Sequence, residues 1–200
     1  MPDATDTRSL LEHLLLRRDL TEAQAGDLLV ALTDASLAPA LAGALLAALR
    51  AKGVTADEVR GFASTMRRLA RRPVLPQGSA AIDIVGTGGD ASGSFNLSTG
   101  ASLLVAAMGL RVVKHGNRSI SSRSGSADVL ECLGLPVPLD EQGAGDCLAA
   151  TDFTFLFAPH YHPAMKEIAP VRRALGVRTV FNMLGPLTNP AEPPYSLIGA

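Results

Sequence analysis

One stretch, residues 81–99, limits the possible folds of this chain more than any other. It begins with an apolar run, residues 81–85, and a short apolar run that ends at a glycine is typical of a buried β-strand. Three glycines follow within residues 86–90, and glycine allows positive φ angles and a close approach of a ligand to the backbone. An apolar, proline-free segment then predicts a helix over residues 99–108. This order indicates an α/β domain with an anion site at the N-terminus of the helix.

Three interpretations of the glycine turn compete. The first is a plain connection between strand and helix. The second is a dinucleotide site, because Gly86-x-Gly88-x-x-Ala91 fits the G-x-G-x-x-A pattern. That pattern requires an acidic residue ~20 residues further on, and its absence there disfavours NAD; a P-loop is excluded because no Gly-Lys-Ser/Thr follows. The third, which we favour, is a cradle for a sugar phosphate or pyrophosphate with a metal, since Asp90 in an anion loop implies a cation or sugar hydroxyls.

Composition indicates a globular protein of one or two domains. The 200 residues are 47% apolar, and the net charge of −1 gives no general attraction to nucleic acid. The two cysteines, Cys132 and Cys147, form no C-x-x-C motif, which fits a reducing cytoplasm. The N-terminal sequence predicts neither a signal peptide nor a membrane span. We therefore expect a cytoplasmic protein that does not bind a membrane.

The N-terminal part, residues 1–72, has the pattern of a small, all-helical domain. Leucines recur at helical spacing, Thr21 and Gln24 predict a capping box, and further helices are predicted over residues 39–51 and 55–71. The apolar positions expected in the second helix are Leu28, Leu29 and Leu32. These leucine-rich faces suit an internal core and a contact with a partner subunit equally well.

A proline-containing linker over residues 71–78 separates this domain from a strand–helix pattern. Strand 81–85, helix 99–108 and strand 111–114 form one βαβ unit, whose right-handed crossover makes the strands parallel. Ligands of such sheets bind at the carboxyl ends of the strands, so Lys114-His115-Gly116-Asn117 is expected beside the glycine turn. The elements predicted after it are a helix over 127–133 capped by Ser126, a helix over 141–150, a strand over 153–157, a helix over 163–175, a proline-rich loop over 181–194 and a strand over 195–200.

Two segments each allow a purely structural and a functional interpretation. The Ser/Arg/Gly run over 118–126 is typical of a solvated loop, but at the ligand edge of a sheet its hydroxyls and guanidiniums suit phosphate. His160 and His162 have the H-x-H spacing of metal ligands, yet no third ligand is evident nearby, and His162-Pro163 fits the start of a helix better.

The motifs GTGGD, NLST, KHGN, SGSADVLE, HPAMK and VRRALGVRTVFNMLGPLTNP occur in that order. Together they resemble the anthranilate phosphoribosyltransferase family, of the class IV phosphoribosyltransferases, whose distant relatives are the pyrimidine nucleoside phosphorylases. The resemblance implies a helical domain over 1–72, joined by helices from about 163–188, and a larger parallel-sheet α/β domain over 73–200. It also implies transfer of the phosphoribosyl group of phosphoribosyl pyrophosphate (PRPP) to anthranilate, with two magnesium ions, by a homodimer joined through the helical domain.

The resemblance also implies the site residues. Lys114 and Asp90 are the expected catalytic residues, and Ser98 is an expected magnesium ligand. The expected PRPP contacts are Gly86, Gly89, Asp90, Ser94, Asn96, Leu97, Ser98, Thr99, Lys114, His115, Gly116, Asn117, Arg118, Ser119, Ile120, Ser121, Ser122 and Ser126. The expected anthranilate contacts are Gly86, His115, Asn117 and Arg172.

The family pattern continues beyond residue 200, and its Asp-Glu magnesium motif lies in that further part. We therefore expect the α/β domain of this chain to be incomplete on its C-terminal side. Two alternatives to phosphoribosyl transfer stay open from the sequence. One is a pyrimidine nucleoside phosphorylase-like enzyme, and the other is a non-catalytic homologue that binds nucleic acid.

Overall fold

The computed structural model describes residues 6–76, 78, 80–86, 95–119 and 124–199. Its helices are α1 (Thr7–Leu15), α2 (Glu22–Leu32), α3 (Pro39–Lys52), α4 (Ala56–Leu69), α5 (Leu97–Ala107), α6 (Ser126–Cys132), α7 (Glu141–Thr151), α8 (Ala158–Tyr161), α9 (Met165–Leu175) and α10 (Phe181–Leu184), with a 3-10 turn at Gly185–Leu187. Its strands are β1 (Ile82–Gly86), β2 (Val112–Gly116), β3 (Phe153–Phe157) and β4 (Tyr195–Gly199). No helix among the described residues is long and apolar enough to cross a membrane.

The chain divides into two compact units. The helical unit comprises Met1–Ala70 and His162–Thr188, and the sheet unit comprises Arg71–Tyr161 and Asn189–Ala200. The helical unit has one continuous core, in which Leu28, Leu29 and Leu32 are buried as the sequence predicts. The ring of Phe181 packs edge-to-face against Phe62 with ring centroids 5.9 Å apart, so the segment after residue 162 contributes to the same core.

Capping residues define the helix starts in this unit. The predicted capping box of α2 is confirmed, since the side chains of Thr21 and Gln24 each accept a hydrogen bond from the backbone N–H of the other. Helix α4 has a second box, in which Glu58 accepts the backbone N–H of Thr55 at 2.8 Å. Glu58 is fully buried and also accepts the N–H of Leu20 at 2.9 Å and the ammonium of Lys52 at 3.0 Å. This carboxylate therefore ties α3, α4 and the start of α2 together.

The sheet unit is built on four strands in the order β3-β2-β1-β4, and every pair is parallel. The predicted parallel βαβ unit is thus confirmed. Alternate residues of β2 face opposite sides: Val112 packs with α5 and α6, and Val113 packs with α7. Helices on both faces of the sheet explain why Val112 and Val113, neighbours that face opposite sides, are both apolar and buried.

Several predicted bounds are corrected. Helix α5 begins at Leu97 rather than Thr99, and α9 begins at Met165 rather than at residue 163. The predicted loop over 181–194 contains α10, because one helical turn places both Phe181 and Leu184 against the helical core. The short helix α8 was not predicted, since four residues carry too little periodicity to be recognised.

Candidate functional site

Lys114 is the third of the five residues of β2, which continues to Gly116 rather than ending at residue 114 as predicted. Lys114 is 2% exposed, and its Nζ donates hydrogen bonds to the carbonyl oxygen of Ile84 at 2.6 Å and to the Ser98 Oγ at 3.3 Å. The bond to Ile84 holds the side chain across to β1, and the bond to Ser98 places the ammonium at the first turn of α5. Lys114 therefore lies beside the N-terminus of α5. Its predicted position beside the glycine turn stays a prediction, because residues 87–90 of that turn lie outside the described part of the chain.

The Lys114 ammonium is held by neutral acceptors in a buried place. Burial lowers the pKa of Lys114 to about 8, and the negative charge of Asp83 opposes that shift. A bound anion would favour the charged form, because an opposite charge close to the ammonium offsets its desolvation. The side chain is thus suited to bind an anionic ligand.

The N-terminus of α5 adds polar groups to the same place. Its N-cap residue, Asn96, makes no side-chain cap bond, and the Asn96 Nδ2 instead donates to the carbonyl oxygen of Ser124 at 3.3 Å. Thr99 is 1% exposed, and its Oγ1 has no hydrogen-bond partner among the described residues. A helix N-terminus with a buried, unpaired hydroxyl and an ammonium beside it offers the chemical groups that suit an anion.

The segment after β2 folds back onto α6. The Ser126 Oγ donates to the carbonyl oxygen of Asn117 at 3.1 Å, and a Cβ on Gly116 would overlap with that hydroxyl. The prediction that Ser126 caps the helix is wrong: Gly125 is the N-cap, and Ser126 is the first helical residue. The reason is that the Asp128 carboxylate accepts the N–H of Gly125 at 2.7 Å and moves the cap one residue back.

Arg118 is engaged within the sheet unit. Its guanidinium donates to Asp128 at 2.9 Å and to Glu131 at 2.6 Å, and it lies 5.6 Å from the ring centroid of Phe157. Its predicted contact with PRPP stays a prediction, and in this structure its charge is matched by two carboxylates.

The remaining predicted residues are distributed as follows. Gly86 and Gly116 end β1 and β2, and Leu97 begins α5 with its side chain exposed. Arg172 belongs to the helical unit, whereas the other predicted contacts belong to the sheet unit. The predicted residues that lie outside the described part of the chain are Gly89, Asp90, Ser94, Ile120, Ser121 and Ser122.

Arg172 is a half-buried cation on α9. Its guanidinium carbon lies 4.8 Å from the ring centroid of Phe181, and burial lowers the pKa of the group. Across the described residues, the ion pairs of this structure include no carboxylate for Arg172. A guanidinium in this setting can bind a carboxylate through two parallel N–H bonds.

The described residues do not by themselves fit a magnesium ion. Ser98 offers one hydroxyl oxygen, and that oxygen already accepts a hydrogen bond from the Lys114 ammonium. Within the described ranges no group of three or more His, Cys, Asp or Glu side chains could hold a metal. Magnesium prefers several oxygen ligands, commonly carboxylates together with substrate phosphates. We therefore assign no chemical step to the metal.

Comparison with known proteins agrees with this geometry. Residues 78–200 match the family described as "Glycosyl transferase family, a/b domain", and residues 8–70 match "Glycosyl transferase family, helical bundle domain". The chain belongs to this glycosyl transferase family. The two matches correspond to the sheet-containing and helical parts of the fold, and they confirm the predicted combination of an α/β domain with a helical domain.

Two relatives of this chain are named for the same activity. The anthranilate phosphoribosyltransferase of Brevibacillus brevis is 50% identical over 190 residues, which are 94% of this chain and 55% of that protein. The corresponding enzyme of Verminephrobacter eiseniae is 44% identical over 189 residues, with the same coverage. The resemblance inferred from the motifs is thereby confirmed. The chain spans about half the length of the curated relatives it matches.

Two solved structures with the same enzyme name are similar to this chain in fold. The anthranilate phosphoribosyltransferase of Thermus thermophilus superimposes with a TM-score of 0.87 at 45% identity, covering 94% of this chain and 57% of that one. The Saccharomyces cerevisiae enzyme, solved in complex with PRPP and Mg, has a TM-score of 0.87 at 29% identity and covers 96% of this chain and 57% of that one.

Sequence reasoning missed a buried polar pair, Asp83 and Asn189. Asp83 on β1 is 1% exposed and accepts the Asn189 Nδ2 at 2.9 Å, and the same amide donates to the carbonyl oxygen of Val113 at 2.8 Å. Burial raises the pKa of Asp83, while the bond from Asn189 and the charge of Lys114 oppose this. A lone carboxylate in the apolar run 81–85 was the available signal for Asp83; no local signal pointed to Asn189, 106 residues away.

Proposed function

We propose that the protein carrying this chain transfers the phosphoribosyl group of PRPP to the amine of anthranilate and releases pyrophosphate. The observation that carries the proposal is the buried Lys114 ammonium, held 3.3 Å from Ser98 Oγ at the N-terminus of α5. The family membership and the names of the relatives support it. The place at the carboxyl ends of parallel strands suits a phosphate-bearing substrate.

In this reaction the bond from ribose C1 to the pyrophosphate oxygen breaks, and its electron pair goes to that oxygen. The anthranilate nitrogen forms the new bond to C1 and then loses one proton to solvent. The leaving group becomes more negative as it departs, so Lys114 and the N–H groups of α5 stabilise it most strongly at that stage. An aromatic amine is nucleophilic when neutral, which is why the chain needs no strong base here.

The acceptor side of the proposal assigns the anthranilate carboxylate to Arg172. A planar guanidinium matches a carboxylate through two parallel hydrogen bonds, and Arg172 is half-buried with its guanidinium carbon 4.8 Å from the ring centroid of Phe181. Phe181 belongs to the buried core of the helical unit, so it offers the guanidinium a fixed apolar surface. The family resemblance also suggests Gly86, His115 and Asn117 as acceptor contacts.

Further parts of the proposal rest on the relatives and the sequence. We propose that magnesium, as two ions, accompanies PRPP, since the yeast relative was solved with PRPP and Mg. We also propose a homodimer joined through the helical domain, and no nucleic-acid partner. We propose two domains: a helical domain over 1–72, joined by helices of 163–188, and a phosphoribosyl-binding domain over 73–200. The two free cysteines support the cytoplasm as its compartment.

The test is a fluorescence assay on the purified protein that carries this sequence. Anthranilate is mixed with PRPP and magnesium, and the expected result is a loss of anthranilate fluorescence that requires both PRPP and protein. Absence of that loss, with consumption of thymidine and phosphate instead, would replace the proposal by a nucleoside phosphorylase. Tight binding of nucleic acid with neither activity would favour the non-catalytic alternative.

A further inference from the structure

Two short stretches meet beside α6: residues 117–119, which follow β2, and residues 124–126, which lead into α6. We call this meeting point the neck. A Cβ on Gly125 would overlap with the backbone nitrogen of Ser119 and the carbonyl carbon of Arg118, so the two stretches are in direct backbone contact. Asn117, Ser119 and Ser126 of the neck are among the residues proposed to bind PRPP.

The carboxylate of Asp128 contacts both sides of the neck. Its Oδ2 accepts the backbone N–H of Gly125 at 2.7 Å and that of Ser119 at 3.4 Å. Its Oδ1 accepts the Arg118 guanidinium at 2.9 Å. One side chain on α6 therefore binds two residues from one stretch and one from the other.

Glu131, one turn further along α6, makes a useful contrast. It binds the same guanidinium, with Arg118 Nη2 donating to its Oε1 at 2.6 Å. Among the described contacts it accepts no backbone N–H of the neck. The two carboxylates share Arg118 and differ in whether they hold the backbone.

We infer that Asp128 is a positioning residue for the proposed phosphoribosyl transfer, which holds residues 117–119 against residues 124–126 so that their polar groups face PRPP. The inference rests on the proposed function. Helix capping alone would require only the bond to Gly125, three residues away, whereas Asp128 also reaches Ser119 and Arg118, nine and ten residues away. The lowered pKa of Asp128, due first to the Gly125 N–H and then to Arg118, agrees with these contacts.

The neck is also connected to the candidate anion site. The Asn96 Nδ2 at the start of α5 donates to the carbonyl oxygen of Ser124 at 3.3 Å. The Ser126 Oγ donates to the carbonyl oxygen of Asn117 at 3.1 Å. Displacement of the neck would therefore move groups that face the N-terminus of α5 and the end of β2.

The experiment compares Asp128→Ala with Glu131→Gln in the purified protein that carries this sequence. Binding of PRPP and of inorganic pyrophosphate is measured by calorimetry, and amide hydrogen exchange is measured at Ser119 and Gly125. Asp128→Ala is expected to weaken binding of both ligands about tenfold or more, because charged acceptors of backbone N–H groups are lost. It is also expected to speed exchange at both amides, while Glu131→Gln stays within about twofold of wild type in binding, since exposed ion pairs contribute little.

Asp128→Asn is the conservative variant and covers the case in which Asp128→Ala does not fold. It keeps one oxygen for the Gly125 N–H and is expected to recover part of the lost affinity. Unchanged PRPP affinity in the folded variants, with a lower melting temperature alone, would mean that Asp128 only caps α6 and would overturn the inference. A wild-type protein that binds neither PRPP nor pyrophosphate would overturn the proposed function and this inference together. Normal wild-type binding with unaffected variants would overturn the inference alone.

Discussion

Replacement of Lys114 by methionine separates binding from stability in this protein, and Lys52→Met is its matched control. Both side chains are shielded from solvent: the Lys52 side chain is 3% exposed, although the residue as a whole is half-buried, and Lys114 as a residue is 2% exposed. Lys52 donates to the carboxylates of Asp19 at 2.7 Å and Glu58 at 3.0 Å, whereas the described hydrogen bonds of Lys114 go to neutral oxygens. Methionine has a similar length and no charge, so each substitution removes mainly the ammonium.

The two variants should differ in stability. A pKa lowered from 10.5 to about 8 means that keeping Lys114 charged costs about 3 kcal/mol at neutral pH. Lys114→Met removes this cost and loses two charge-assisted hydrogen bonds of roughly 1.5–3 kcal/mol each, so gain and loss largely offset and the free energy of unfolding should fall by less than about 3 kcal/mol. Lys52→Met instead leaves the fully buried Glu58 without its cation, and breaking a buried pair costs about 3–5 kcal/mol.

For the affinity of pyrophosphate, Lys114→Met should have the larger effect of the two variants. Lys114→Met removes a charge-assisted hydrogen bond to pyrophosphate worth roughly 1.5–3 kcal/mol, which is about 10- to 150-fold in affinity. Lys52→Met should leave that affinity within about twofold wherever it is folded. Titration calorimetry with pyrophosphate and PRPP, together with urea denaturation, measures both quantities. If Lys114→Met binds pyrophosphate as tightly as wild type, Lys114 is not the phosphate-binding cation and the site assignment is wrong.

Three further predictions follow from the described contacts. Arg172→Ala should raise the KM for anthranilate about tenfold or more and leave the KM for PRPP nearly unchanged. Replacement of its exposed neighbour, Arg173→Ala, should change neither constant. Equal effects of Arg172→Ala on both constants would contradict the acceptor assignment. Pyrophosphate affinity should be full below pH 8 and fall above it, because Lys114, with its pKa lowered to about 8, loses its proton there, and Lys114→Met should lack this dependence. Asn189→Ala should lower the free energy of unfolding by about 1–3 kcal/mol in urea denaturation, since Asp83 and the carbonyl of Val113 lose a buried donor; no change would mean that water replaces the amide.

The parallel sheet and the helical segments could be predicted because their signals are local. Apolar runs ended by glycine give β1 and β2, and the pair Thr21 and Gln24 gives the start of α2. The start of α6 was misplaced because Ser126 is a good N-cap residue by type, and the decision depends on the carboxylate of Asp128, which accepts the Gly125 N–H.

Contacts between residues far apart in the chain could not be predicted in the same way. The pair of Asp83 and Asn189 joins residues 106 positions apart, and neither residue type indicates its partner. Likewise, the attachment of segment 162–188 to the helical core depends on packing such as that of Phe181 on Phe62. The sequence suggested this attachment through a family resemblance and gave no physical reason for it.

Comparison of Lys52 and Lys114 explains why Lys52 suits a structural role and Lys114 suits the proposed binding site. For Lys52, burial acts to lower the pKa, but hydrogen bonds and charges of Asp19 and Glu58 outweigh it and raise the pKa. For Lys114, burial dominates and the pKa falls to about 8, because the charge of Asp83 offsets it only in part. A buried ammonium whose desolvation is not offset by its own fold gains most from an anion that arrives later. The sequence placed Lys114 near the carboxyl end of β2, but the incompletely offset cost of its burial, which suits it to bind an anion, became visible only in the structure.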